Sequence, residues 1–256
     1  MFPTLGQVGP LELSSLPVFT AVGILIALLL VAWWAPKEGL RPHEAINFCL
    51  LISLLLFIGG KTGYAVTDYR QVANKISQPT GFWLDGVSVP AGLLLASIGC
   101  ITYLKSRHLS IWQIGDLLAP GYVVADIGYR IGCFLDGSAF GLMDPELPWG
   151  VSFPATNTSA RPIGVSLHPT QLYYALGLFM LLALLLLGRR FRIFRGFPLL
   201  LFALLYPILL VVVWPFRGDI ISPDPVIGSL PLSLTIGLVI AALSGITLGY
   251  RAIKFT

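Results

Sequence analysis

The chain has 256 residues, of which 56% are hydrophobic and only 11% are charged. A soluble domain carries roughly 25% charged residues, so an ordinary soluble protein is excluded. The net charge of +4 reflects an uneven distribution of basic loop residues and does not point to nucleic acid as a partner.

The apolar residues come in runs long enough to cross a hydrocarbon core of about 30 Å, which takes about 20 residues. Seven transmembrane helices are expected, roughly at 17–35, 45–60, 87–104, 114–135, 170–187, 197–216 and 230–250. The second is short and the fourth is the least apolar. Residues 1–16 have no basic stretch and the first apolar run is long enough to span, so no cleavable signal is expected. No 20–50-residue repeat or second domain is evident. The expectation is one all-α integral membrane domain over 1–256. Its longest outward loops, about 61–86 and 136–169, have room for small amounts of structure.

Lys and Arg in the flanking segments set the orientation. Alternate segments carry ten on one side: Lys37, Arg41, Lys105, Arg107, Arg189, Arg190, Arg192, Arg195, Arg251 and Lys254. The other side has five: Lys61, Arg70, Lys75, Arg161 and Arg217. This predicts an outside N-terminus and a cytoplasmic C-terminus. The 189–195 cluster reads first as a topology determinant, and secondly as a site for anionic headgroups.

Arg130 is counted as intramembrane. It lies in Asp126-Ile127-Gly128-Tyr129-Arg130-Ile131-Gly132-Cys133-Phe134-Leu135-Asp136-Gly137-Ser138-Ala139-Phe140-Gly141. A guanidinium keeps its charge at any accessible pH. Placing it at membrane depth costs at least about 2.5–3.5 kcal/mol. An anionic partner offsets that cost, and in a bilayer the obvious one is a lipid phosphate. Asp126, four residues earlier, is also spaced for a same-face pair. Gly128, Gly132, Gly137 and Gly141 suit either close helix packing or a helix that breaks near Gly137 and lines a polar cavity.

The next constellation is Leu167-His168-Pro169-Thr170-Gln171-Leu172-Tyr173-Tyr174. Pro169 suits the first turn of a helix, which puts His168 at its start. The free N–H groups there favour an anion. His168 reads either as an interfacial hydrogen bonder or as a proton carrier and phosphate donor. Gln171 and Tyr173 add polar contacts. Trp214-Pro215-Phe216-Arg217-Gly218-Asp219 closes the sixth span on the same side. Arg217 reads as an interface anchor paired with Asp219, or as a second phosphate-facing cation.

The remaining polar residues carry blander readings. Pro148-Trp149-Gly150 is a turn with an interfacial aromatic. His43 and His108 are solvated. Glu12, Glu38, Glu44, Asp68, Asp85, Asp144 and Glu146 are loop charges, and Asp116 is a helix-start or packing residue or a partner for Arg130. Cys49, Cys100 and Cys133, with three scattered histidines, make no metal-binding spacing. The Asn157-Thr158-Ser159 sequon is a common chance triplet.

On these motifs the chain resembles the bacterial prolipoprotein diacylglyceryl transferases, which have seven spans and this orientation. Tyr129 through Gly141 follows the family pattern G-R-x-G-N/C-F-x-x-G-x-x-x-G, with Tyr129 at the first glycine. His168 through Tyr173 follows H-P-[ST]-Q-L-Y-E, with Tyr174 at the glutamate. Pro-Trp-Gly also looks familial. The resemblance implies an enzyme of the bacterial plasma membrane with its active face outside. It would move diacylglyceryl from phosphatidylglycerol to the lipobox cysteine of a prolipoprotein signal peptide, releasing glycerol 1-phosphate. No cofactor or metal is implied. Arg130 and His168 would be catalytic. Arg130, Arg217, Gly132, Gly137, Gly141, Gln171 and Tyr173 would hold the phospholipid.

The chain departs from the family pattern at several points. Val87-Ser88-Val89-Pro90-Ala91-Gly92 aligns with S-F-H-G-G, so Pro90 stands where the family has a histidine. The sixth span keeps only the last arginine, Arg217, of R-F-x-x-E-F-x-R. The usual Tyr-Gly of the first span is Val22-Gly23, and Ser138 replaces a second polar residue of the arginine motif. Two further readings therefore stay open: transfer to another acceptor, and a lipid-binding or assembly protein without turnover.

Overall fold

The computed structural model describes residues 2–8, 11–67, 88–153, 158–160, 162–191, 194–219, 226–227 and 230–255. Most of the 61–86 loop, Asn157 of the sequon, Arg161 and Arg192 lie outside the described residues. The described chain is almost entirely helical. Its α-helices are α1 (Ser15–Trp34), α2 (Pro42–Thr67), α3 (Val89–Ser106), α4 (Ile111–Asp136), α5 (Thr170–Arg190), α6 (Phe197–Val213) and α7 (Leu232–Phe255). Five stretches, Ser15–Glu38, Pro42–Val66, Thr170–Arg190, Phe197–Phe216 and Leu232–Lys254, are long and apolar enough to cross a membrane. The apolar part of α3, Pro90–Ser106, is shorter. α4 is long but carries Asp116, Asp126, Arg130 and Asp136, in keeping with its reading as the least apolar span.

By internal packing the chain divides into Val31–Ile114 and a second unit of Met1–Leu30 with Gly115–Thr256. In the first unit, α2 and α3 pack through glycines. A Cβ on Gly92 would sit 2.7 Å from the Leu56 carbonyl oxygen, and one on Gly59 would sit 2.9 Å from that of Ala91. The small residues thus let the backbones approach. α2 is longer than the expected 45–60. It takes in Lys61, read from the sequence as a loop cation, whose side chain is 5% exposed. The close helix contact carries α2 on past Gly60, and a lysine stem buries readily along an apolar surface. Glu38, expected as a loop charge, is buried in the short 3-10 helix Ala35–Glu38. His43 and His108 are exposed, as expected.

In the second unit, α1 lies against α4. A Cβ at Gly128 would meet the Phe19 carbonyl and the Gly23 backbone, and one at Gly132 would meet Leu16. Ala119, Val123 and Ile127 of α4 pack on Leu178, Leu181 and Leu185 of α5, with Leu201, Leu205 and Leu209 of α6 against them. Asp116 is fully buried and accepts the N–H groups of Gly196 and Leu199, at 2.7 and 3.0 Å. It caps the start of α6, where the first N–H groups have no partner in their own helix. Three two-residue-to-five-residue hairpins complete the described structure: β1 (Thr4–Val8) with β2 (Leu11–Ser14), β3 (Val151–Ser152) with β4 (Ser166–Leu167), and β5 (Val226–Ile227) with β6 (Leu230–Pro231). β3 and β4 supply the small structure expected in the 136–169 loop.

Candidate active site

The site is built where α4 stops. Gly137 has φ +81, a left-handed conformation that favours glycine at a helix end. A Cβ there would strike the Thr158 hydroxyl oxygen, itself hydrogen-bonded to the Asp136 carbonyl at 2.7 Å. The two readings of the glycine series therefore divide by position. Gly128 and Gly132 serve helix packing, and Gly137 breaks the helix.

Beyond the break, residues 140–144 run as an irregular strand between two others. Gly141 N–H donates to the His168 carbonyl (3.0 Å) and His168 N–H to the Leu142 carbonyl (2.9 Å). On the other side Leu142 N–H donates to Phe216 (2.8 Å) and Gly218 N–H to Phe140 (3.1 Å). Gly141 is thus sandwiched between the backbones that carry His168 and Arg217, and a Cβ there would collide with both. Gln171 is fully buried, and its amide donates to the Ser138 carbonyl at 2.7 Å. Thr170 likewise donates to the Ala139 carbonyl at 2.7 Å. Both hold the post-helix segment against the start of α5.

Arg130 lies in a cage of tyrosines. Its Nε is 3.3 Å from Asp126 Oδ1, with the two side chains 12% and 9% exposed. The other oxygen of Asp126 accepts from the Tyr206 hydroxyl (3.1 Å), which also meets that of Tyr122 (3.1 Å). The Arg130 guanidinium stands 4.0 Å above the ring of Tyr174 and 5.2 Å from that of Tyr129. Its buried Nε makes no hydrogen bond among the described residues. That leaves a cation held by one carboxylate and by ring faces, with donor capacity unused.

Arg217 forks onto Asp219, Nε to Oδ1 and Nη2 to Oδ2, both at 2.9 Å. These bonds raise its proton affinity above the ordinary guanidinium range, against the effect of burial. The Tyr174 hydroxyl beside it acts in the same direction. Tyr174, 3% exposed, therefore touches both cations, Arg130 with its ring face and Arg217 with its hydroxyl. The two arginines that lie far apart in sequence meet at this residue.

His168 heads a separate polar chain. Its Nδ1 is 3.1 Å from the Tyr173 hydroxyl, which accepts the Trp149 indole N–H at 2.8 Å. Its Nε2 is 3.7 Å from Asp144 Oδ2. Phe216 packs on both rings, with centroids 5.2 Å from His168 and 5.9 Å from Tyr173.

The expected site residues fall into three groups. Arg130 and Arg217 share one tyrosine, His168 and Tyr173 form one hydrogen-bonded pair, and Gly132, Gly137, Gly141 and Gln171 shape the backbone between helices. Sequence reasoning missed Tyr174, noted only as a substitution. It missed Asp144, read as a loop charge, and Trp149, read as an interfacial aromatic in a turn. The available signal for Asp144 was Asp144-Pro145-Glu146, a turn sequence that fixes a carboxylate. Pro90, in the Val31–Ile114 unit, occupies the first turn of α3 and is exposed. Its ring nitrogen sits in the backbone and carries no proton-accepting side chain. Among the described residues no cluster of three His, Cys, Asp or Glu side chains is arranged to hold a metal ion.

Comparison with known proteins adds an independent line. The chain is 28% identical to a phosphatidylglycerol–prolipoprotein diacylglyceryl transferase of Clostridium tetani over 221 residues, 86% of each protein. It is 30% identical to proteins of the same name from Brucella ovis and Brucella abortus over 260 aligned positions, 93% of this chain and 86% of theirs. The family model described as prolipoprotein diacylglyceryl transferase matches residues 3–250. A match that runs through α1 to α7 and takes in both arginines, the histidine and the Gly141 strand between them shows that the chain belongs to the prolipoprotein diacylglyceryl transferase family.

Proposed function

We propose that this protein transfers the diacylglyceryl group of phosphatidylglycerol to the thiol of a lipobox cysteine in a prolipoprotein signal peptide. It does so as a seven-span protein of the bacterial plasma membrane, N-terminus out, with the site on the outer side. The observation that carries the reading is the pair of arginines meeting at Tyr174. Two fixed cations in a poorly solvated setting bind a phosphodiester and stabilise the charge that builds on it as the carbon–oxygen bond breaks. Arg130, whose Nε faces Asp126, is the principal phosphate donor through its terminal N–H groups. Arg217 stays partly engaged by Asp219 and offers the remaining N–H groups. Gly137 and Gly141 let the backbone turn and pack tightly against Thr158, His168 and Phe216, which fixes the walls beside the phosphate. Gln171 and Tyr173 shape its wall, while His168 handles the proton that the thiol must lose.

Pro90, in place of the family's histidine, favours one second reading: a lipid-binding protein without turnover. One experiment separates the two. Protein in phosphatidylglycerol vesicles is incubated with a lipobox peptide, and the peptide is weighed by mass spectrometry. A thioether-linked diacylglyceryl adduct that disappears in Arg130→Ala supports transfer. Absence of the adduct with wild-type protein, while an active family member forms it, refutes transfer.

A further inference from the structure

The family's usual histidine is a proline here, so the thiol's proton needs another acceptor. The polar chain around His168 has a direction that can be worked out from its donors. An indole N–H only donates, so the Tyr173 oxygen accepts from Trp149. Among the described residues the single Tyr173 proton then has one hydrogen-bonded acceptor, Nδ1 of His168, at 3.1 Å. In the neutral imidazole this puts the ring proton on Nε2, the nitrogen that faces Asp144 Oδ2 at 3.7 Å. Asp144 is itself held in place. Its Oδ1 accepts the Glu146 N–H at 3.0 Å, and its own N–H donates to the Ser166 carbonyl at 3.1 Å. Oδ2 is thereby left for the histidine. The order hydroxyl, imidazole, carboxylate is the one that lets a neutral histidine take a proton through a hydroxyl and keep it beside a negative charge.

We propose that Tyr173, His168 and Asp144 form the base that replaces the family histidine. The cysteine thiol gives its proton to the Tyr173 oxygen as the Tyr173 proton passes to Nδ1 of His168. The products are a thiolate and an imidazolium facing the Asp144 carboxylate. The thiolate forms the carbon–sulfur bond, the glycerol carbon–oxygen bond breaks, and its electron pair leaves on the phosphate. The imidazolium then returns its proton to that phosphate or to water, so protons and charge balance over the cycle. Tyr173 is the catalytic residue of this step, His168 the proton store, and Asp144 a positioning residue. The charged and titratable groups facing His168 among the described residues are Asp144, from the 140–144 strand, and Tyr173, from α5. Phe216 covers another side of the ring.

The proposal rests on the transfer reading above, and the test keeps the two apart. Wild-type protein must first give the adduct with an ordinary lipobox peptide; if it gives none, the transfer reading itself fails. Given that activity, Tyr173→Phe is expected to lower kcat by roughly 10²–10³-fold with little change in the KM for phosphatidylglycerol. Asp144→Asn is expected to lower kcat less, because it removes only the carboxylate that faces the imidazolium at 3.7 Å and leaves the Tyr173–His168 pair intact. The deciding readout is a peptide with selenocysteine at the acceptor position. A selenol is already ionised at neutral pH and needs no base, so both variants should recover most of the wild-type rate. A merely structural defect would persist with either peptide. The proposal is overturned if Tyr173→Phe keeps the wild-type kcat, or if its loss is the same with the selenol. Should Tyr173→Phe fail to fold, Asp144→Asn decides alone: a wild-type kcat, or a loss that the selenol does not recover, overturns it.

Discussion

Replacing Gly141 by alanine probes the geometry of the whole site with a single carbon atom. That carbon would lie 2.7 Å from the Phe216 carbonyl oxygen and closer still to the carbonyl and Cβ of His168. None of these belongs to a flexible side-chain end, so the strand at 140–144 must separate from one neighbour. Separation loses the two hydrogen bonds on that side, either Gly141–His168 with His168–Leu142 or Leu142–Phe216 with Gly218–Phe140, at about 1 kcal/mol each. Overpacking strain adds about 1–3 kcal/mol, giving a destabilisation of about 3–5 kcal/mol. The larger consequence is functional. His168 and Arg217 ride on the two backbones that Gly141 holds apart, and a shift of about 1 Å between catalytic groups costs on the order of 10²-fold. Thioether formation in phosphatidylglycerol vesicles, measured beside thermal unfolding in the same lipid, reads both effects. An alanine variant that unfolds like wild type and turns over at the wild-type rate would refute the steric reasoning. One that is destabilised yet keeps wild-type turnover would show that the His168–Arg217 spacing is irrelevant to the chemistry.

Further expectations follow from the same contacts. Tyr174→Leu removes the ring beneath Arg130, worth about 1–2 kcal/mol in a partly desolvated setting, so the KM for phosphatidylglycerol should rise about 5–30-fold. Tyr174→Phe keeps the ring and loses only the hydroxyl on Arg217, so its KM should rise less; an equal rise in both would show that the ring contact with Arg130 contributes nothing. Asp116→Ala strips the N–H groups at the start of α6 of their acceptor, which costs about 1–3 kcal/mol, and should lower the unfolding temperature while leaving the KM for phosphatidylglycerol alone. In a background without the native cysteines, Glu146→Cys should react with an impermeant thiol reagent from outside the cell and Arg190→Cys only after permeabilisation. The opposite pattern would reverse the proposed orientation.

Much of this molecule is legible in its sequence because a bilayer leaves few choices. Backbone groups in hydrocarbon must bond within their own segment, so a long apolar run becomes a helix whatever surrounds it. That is why the helix positions could be read off composition, with errors confined to the ends. α2 runs on through Lys61 because glycines in α2 and α3 let the two backbones close up, a contact that no single-segment reading contains. Arg130 could be singled out by cost alone: a fixed charge in an apolar span requires a partner, and Asp126 supplies one. His168, at a Pro-marked helix start, was recognisable by position.

What only the tertiary structure decided is which of these residues act together. Local pattern allowed Gly128, Gly132, Gly137 and Gly141 one common role. Packing assigns the first two to α1, the third to the helix end and the fourth to a strand wedged between His168 and Phe216. Tyr174 could be read only as a missing glutamate until α4 brought Arg130 to its ring and the segment after α6 brought Arg217 to its hydroxyl. Asp144 looked like one loop charge among several until the turn at Glu146 and the pairing with Ser166 aimed it at His168. The reason is general to this fold. Hydropathy is a property of each segment by itself. A binding or proton-transfer site is a set of distances between segments, and those are set by how closely small residues let helices approach and where the chain is made to turn.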